Sequence, residues 1–250
     1  VSKGTPVLSL LGVTKSFGGL TAVSEVSLSV AAGERRALIG PNGAGKTTLF
    51  SLISGEQQVT SGQIRLFGRD ITRLAPHRRA ALGLTRTYQI TNLFPRLSVM
   101  ENCLLAVQGL RPMKYHLHRD LRRYPEVLEV TRAVLGAVGL LDKVGATVRD
   151  LSHGEQRQLE IALALAGSPR VLLLDEPTAG LSPAESAMMT ALLKQLDPSI
   201  TLLVIEHDMD VAFQLTDRIT VLHHGRVVAD GMREDVTASP LVQEIYLGTA

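Results

Sequence analysis

The stretch Gly40-Pro41-Asn42-Gly43-Ala44-Gly45-Lys46-Thr47-Thr48 decides how the rest of this chain reads. Gly40, Gly45, Lys46 and Thr47 fall at the spacing of a phosphate-binding loop, in which residues without a Cβ let backbone N–H groups curl around phosphate oxygens. Lys46 is then placed to meet the β- and γ-phosphates, and the Thr47 hydroxyl to ligate Mg2+. The flanks fit: Arg36-Ala37-Leu38-Ile39 reads as a buried strand, and Thr47 to Ser54 as a helix whose N-terminus faces the anion. A glycine-rich turn that matches by chance is the plain alternative.

Downstream, the apolar strand Val171-Leu172-Leu173-Leu174 ends in Asp175 and Glu176. That puts two carboxylates at the carboxyl edge of a parallel sheet, where doubly wound folds bind ligands. Asp175 would hold the hydrated Mg2+ and Glu176 would polarise an attacking water. A strand capped by solvated acids reads the same way in isolation; the upstream loop favours the functional reading. A second apolar strand, Leu202-Leu203-Val204-Ile205-Glu206, delivers His207 to the same edge, within reach of a γ-phosphate.

Leu151-Ser152-His153-Gly154-Glu155 precedes an apolar helical stretch, Leu159 to Leu165. Ser152 and the amides near Gly154 form another helix-start anion site, although an ordinary serine cap shows the same S-x-x-E pattern. One nucleotide with two such anion sites is one too many for a chain that does not dimerise.

In this order the residues resemble the nucleotide-binding subunit of ATP-binding-cassette (ABC) transporters, over nearly the whole chain. The resemblance implies a Walker A loop at Gly40 to Thr48, a Walker B strand at Val171 to Asp175 with Glu176 as catalytic carboxylate, and a signature motif at Leu151 to Glu155. It also implies that Phe17 stacks on adenine, that Gln89 lies in a loop reporting to the membrane partner and joins Thr47 and Asp175 around Mg2+, that Ala179 to Ser182 form the D-loop, and that His207 is the switch histidine. Glu176, His207 and Lys46 form the expected catalytic set. Ser152, Gly154 and Glu155 would complete the ATP site of a second subunit, either another copy or a paralogue. His153 and Ser182 depart from the commonest pattern, which has glycine and aspartate there.

The implied fold is α/β: a P-loop NTPase with a mainly parallel core sheet, an antiparallel β-subdomain and an inserted helical subdomain. The expected layout is one domain over 7–250, with the catalytic core and β-subdomain in 7–92 and 168–250 and the helical part in about 93–167. Strands are expected at Leu8 to Leu10, Val26 to Val30 and Gln63 to Leu66, and a hairpin turning at His224-Gly225 within Ile219 to Asp230. Helical stripes run through Val99, Leu104 and Val107 and through Val127, Val130, Val134, Leu135 and Val138.

Within the family the likeness is to Liv-type ATPases of branched-chain and hydrophobic amino acid uptake. It rests on the run from Arg86 to Asn102, on Leu151 to Ala162, on Asp175 to Pro183, on Ile205 to Met209 and on Glu244 to Gly248. Urea, short-chain amide and lipopolysaccharide-export ATPases share several of these marks. The likeness implies permease subunits in the membrane, an indirectly coupled solute-binding protein, and a peripheral place on the cytoplasmic face of the plasma membrane.

Composition agrees. The 250 residues, 45% hydrophobic, can bury a sizeable core, and a net charge of +2 gives no strong reason to invoke nucleic acid. The single cysteine, Cys103, cannot form an internal disulfide and is expected on an apolar helix face. No apolar run approaches the ~18 residues of a membrane span, and the first residues lack the build of a signal peptide. A basic stretch, Arg111, Lys114, Arg119, Arg122 and Arg123 with His116 and His118, reads either as a solvated face or as a surface for anionic headgroups or a permease. A DNA-repair or ribosomal ABC ATPase would need a coiled coil between Lys46 and Asp175 or a second cassette, and no sustained heptads occur there. A P-loop kinase would leave Leu151 to Glu155 unexplained.

Overall fold

The computed structural model describes residues 6–87, 93–109 and 125–247. Two strands open the chain, β1 (Leu8–Phe17) and β2 (Leu20–Val30), and β3 (Arg35–Ile39) leads through the phosphate loop into α1 (Lys46–Ser54). Next come β4 (Ser61–Leu66), β5 (Arg69–Asp70), α2 (Pro76–Ala81) and β6 (Leu84–Arg86). Helices α3 (Val99–Gly109), α4 (Pro125–Ala137) and α5 (His153–Leu165) form the middle. The last part alternates: β7 (Val171–Asp175), α6 (Pro183–Gln195), β8 (Thr201–Ile205), α7 (Met209–Leu215), β9 (Arg218–His223), β10 (Arg226–Met232), α8 (Arg233–Thr237) and α9 (Pro240–Leu247).

Six strands form one sheet in the order β10-β9-β3-β8-β7-β6, parallel except for the β9–β10 hairpin at one edge. The other sheet, β2-β1-β4-β5, is antiparallel throughout. Strand β1 continues well past the expected Leu10. Its polar–apolar alternation is broken by register shifts between Leu10 and Val13, around Gly12 at φ 56, so a search for period two stops there. The hairpin turns where expected, with His224 (φ 46) and Gly225 (φ 74) both left-handed, as a two-residue loop between twisted strands requires.

Burial on both faces explains why the central parallel strands β7 and β8 are apolar along nearly all their length. In β7 and β8, Leu172, Leu174, Leu202 and Val204 pack toward the helices with Val99, Cys103, Val107, Val127, Leu135 and Leu159. The opposite residues, Val171, Leu173, Leu203 and Ile205, pack with α1 and the antiparallel sheet through Leu49, Phe50, Ile53, Leu8, Leu10 and Ile64. This sandwich fixes the carboxyl tips of β3, β7 and β8 beside one another.

One buried arginine anchors the helix that follows the phosphate loop. Arg79, with no exposed surface, donates to Leu52 O (2.7 Å), Ile53 O (2.8 Å), Thr72 O and Leu74 O. It thereby satisfies carbonyls at the end of α1 that have no partner within the helix, and places positive charge at the negative pole. Burial lowers its pKa to about 10.

Candidate active site

Lys46, Thr47 and Thr48, with Asn42, Gly43, Ala44 and Gly45, line a cleft of about 210 Å³ together with Ala22, Glu176 and His207. Only glycine fits two of the loop's positions. A Cβ on Gly40 (φ 149) would lie 2.1 Å from Leu222 O, and one on Gly45 (φ 102) 2.4 Å from Ala22 O. The close approach to Ala22 brings a β2 residue into the cleft, which no local motif announced. Lys46 donates to Gly40 O (2.6 Å) and Pro41 O (3.1 Å). Burial depresses its pKa, while Glu176 and Asp175 work in the other direction.

Strand β7 ends in two carboxylates with different surroundings. Asp175 is buried; its Oδ2 accepts from Arg86 Nη2 at 2.5 Å, while Oδ1 has no hydrogen-bond partner among the described residues. Burial raises its pKa, and Arg86 opposes that rise. Arg86 also reaches Glu56 Oε2 and Ser51 Oγ, both at 2.9 Å, tying β6 to α1 and its following turn. Glu176 adopts φ 50, a left-handed conformation costly for a residue with a Cβ and of the kind that gathers at functional sites. Its Oε1 lies 2.8 Å from His207 Nε2. The two tips are tied a second time by Glu206, whose Oε1 accepts from Thr178 Oγ1 (2.9 Å) and Thr178 N (3.3 Å).

Phe17 is 46% exposed, with Lys15 Nζ 4.7 Å from its ring centroid; it pairs with Leu20, two residues before Ala22 of the cleft. Gln89 and the basic run Arg111 to Arg123 lie outside the described residues.

Ser152, Gly154 and Glu155 are not among the residues lining this cleft. They line a separate cavity with Gln158, Glu185, Met188 and Met189. Ser152 caps α5 in a capping box with Glu155, whose carboxylate also pairs with Lys143 at 3.2 Å. Ser182 and Glu185 build the same box on α6. That explains one departure from the common pattern, because serine caps a helix as well as aspartate does. The other departure also has a contact: His153 Nδ1 is 3.3 Å from Gly180 O. Beside it Gly154 N donates to Glu185 Oε1 at 3.1 Å. Two contacts therefore join the starts of α5 and α6, and Glu185 escaped the sequence reading although its S-x-x-E signal stood in plain view.

Residues 23–179 match the protein family described as ABC transporter. The chain belongs to that family. Among curated ABC transporter subunits, the high-affinity branched-chain amino acid transport ATP-binding protein BraF of Pseudomonas aeruginosa is 39% identical, the match covering 98% of this chain and 99% of the relative. The high-affinity branched-chain amino acid transport ATP-binding protein LivG of Escherichia coli K12 is 37% identical over the same shares. A solved ABC transporter cassette in its ADP conformation superposes with a TM-score of 0.85 at 28% identity, covering 98% of this chain and 100% of the other. A dimeric cassette in a post-hydrolysis state with ADP and Pi gives 0.76 at 26% identity, covering 90% and 98%. Domains of the ABC transporter family bind ATP and ADP, and this chain is an ATPase domain of that type.

Proposed function

We propose that the chain is the ATP-hydrolysing subunit of a membrane importer of branched-chain or related hydrophobic amino acids. The observation that carries the catalytic reading is the one cleft that gathers Lys46, Thr47, Glu176 and His207. The cargo rests on the near full-length likeness to BraF and LivG.

Phe17 stacks on adenine, while the 40–48 amides and Lys46 hold the phosphates. Thr47, Asp175 and Gln89 would hold Mg2+; the buried Oδ1 of Asp175, without a hydrogen-bond partner among the described residues, beside a cleft lined by the exposed residue Thr47 fits such a group. When bound, Mg2+ neutralises charge on the phosphate oxygens. Glu176 orients water and accepts its proton, and His207 holds that carboxylate in place at 2.8 Å. Ser152, Gly154 and Glu155 serve the γ-phosphate held by a second copy or a paralogue; the existence of a dimeric relative with ADP and Pi supports a two-subunit assembly. Contacts made only in the closed dimer let ATP favour one conformation of the permease subunits.

No helix among the described residues is long and apolar enough to cross a membrane. In our reading the chain sits peripherally on the cytoplasmic face of the plasma membrane, with a solute-binding protein coupled through the permease and no nucleic acid partner. Purification of the tagged chain from its native cells in mild detergent, followed by mass spectrometry, tests the assignment. Multi-spanning permeases and an amino-acid-binding protein are expected. Ribosomal or DNA-repair proteins in their place would overturn the transport reading.

A further inference from the structure

Thr178 begins the turn that carries Ala179 to Ser182, and Glu206 is the residue before His207. Both are buried, Glu206 with 4% of its surface exposed. One carboxylate oxygen takes both donors of Thr178, the hydroxyl at 2.9 Å and the backbone N–H at 3.3 Å. The next rung along is the Glu176–His207 contact at 2.8 Å, and Glu176 N donates to Ile205 O at 2.9 Å. The tips of β7 and β8 are thus joined by a backbone bond, a buried carboxylate and an exposed histidine. Glu176, Thr178, Ala179, Glu206, His207 and neighbours also line a cavity of about 320 Å³. Packing alone therefore leaves the 176–182 turn room to shift.

An apolar residue would be the ordinary choice at the buried end of such a strand. Burying a carboxylate is unfavourable unless its bonds do something a methyl group cannot. Here those bonds restrain the one segment whose position sets both Glu176 and the Ala179 to Ser182 turn.

We infer that Glu206 is a positioning residue for ATP hydrolysis: its carboxylate clamps Thr178 to the strand carrying His207, so that the Glu176–His207 pair and the 179–182 turn keep one geometry. The inference rests on the hydrolytic roles proposed above for Glu176 and His207. The group needed is a hydrogen-bond acceptor, not a charge.

The test uses the full chain, with steady-state ATPase kinetics, nucleotide binding and amide hydrogen exchange on Glu206→Ala, Glu206→Gln and Thr178→Val. Glu206→Ala should lower kcat about 10- to 100-fold through misplacement of the reacting groups. Nucleotide affinity should stay within about twofold, since the phosphate loop is untouched. Exchange should accelerate across 178–182 and stay slow in α1 and β3. Glu206→Gln, which keeps an acceptor oxygen, should recover most of the turnover, and Thr178→Val should add little to Glu206→Ala in the double variant. Wild-type kcat in Glu206→Ala, or Glu206→Gln as impaired as Glu206→Ala, overturns the inference. Glu176→Gln run alongside separates the levels: if it is inactive while Glu206→Ala is not, only the positioning role fails, whereas full turnover in Glu176→Gln overturns the hydrolytic reading itself.

Discussion

Arg86 Nη2 and Asp175 Oδ2 lie 2.5 Å apart in a buried ion pair that links the ends of adjacent strands β6 and β7. The same guanidinium holds Glu56 and Ser51, so it joins the sheet edge to the helix after the phosphate loop. Arg86→Ala leaves the Asp175 carboxylate buried without this counter-charge. Breaking one side of such a pair costs about 3–5 kcal/mol, which urea denaturation would read. Arg86→Lys keeps the charge but not the fork and should fall between the two. Stability equal to the parent in Arg86→Ala would show that other groups already neutralise Asp175.

Glu176 and His207 form the exposed contact at the same edge. Glu176→Gln preserves size and should leave ATP binding intact while lowering kcat at least ~100-fold, the scale of a lost general base. Mg-ATP should then accumulate closed dimers, visible by light scattering. A variant that stays monomeric under those conditions counts against the shared-site arrangement. His207→Ala should lower kcat with nucleotide affinity kept, because the phosphate loop contacts are unchanged.

What could be read from the sequence divides along a physical line. The phosphate loop, the two apolar strands with polar tips and the serine before α5 are local patterns, in which a few consecutive residues fix both conformation and exposure. The tip residues converge because parallel strands buried on both faces must end at one edge, so the placement of Glu176 beside His207 follows from their strands. Arg86, Arg79 and Glu206 carry no such signal. Arg86 meets Asp175 across 89 positions and Arg79 meets Leu52 across 27, and nothing in their immediate surroundings marks a buried charge. Gly12 hides the part of β1 beyond Leu10, because a bulge breaks the alternation on which strand recognition depends.

Arg79 gives a test that concerns folding alone. Its four bonds to backbone carbonyls are irreplaceable by a shorter side chain, and Gly55 sits so close that a Cβ there would meet Arg79 Nε at 2.6 Å. Arg79→Ala should destabilise by at least ~3 kcal/mol, since each buried acceptor left unsatisfied costs 1–3 kcal/mol. Differential scanning calorimetry would register the loss, and a shift of less than a degree would mean that water enters and replaces the guanidinium.

Glu206 predicts how stability depends on pH. Burial pushes its pKa from 4.5 to about 7, with Glu176 adding to the rise and the bonds from Thr178 and the His207 amide opposing it. Below pH 4.5 the folded and unfolded chains both hold the proton, and this group's contribution is fully present. Between 4.5 and about 7 the unfolded chain ionises while the folded one does not, so stability falls as pH rises through that window and then levels off. The whole swing is on the order of 3 kcal/mol from this group. Glu206→Gln cannot titrate, and its stability relative to the parent should climb from pH 4.5 to 7.5 in a urea series. A constant difference across that range would place the carboxyl's folded pKa at its ordinary value, and the buried bonds to Thr178 would then have to offset the desolvation in full.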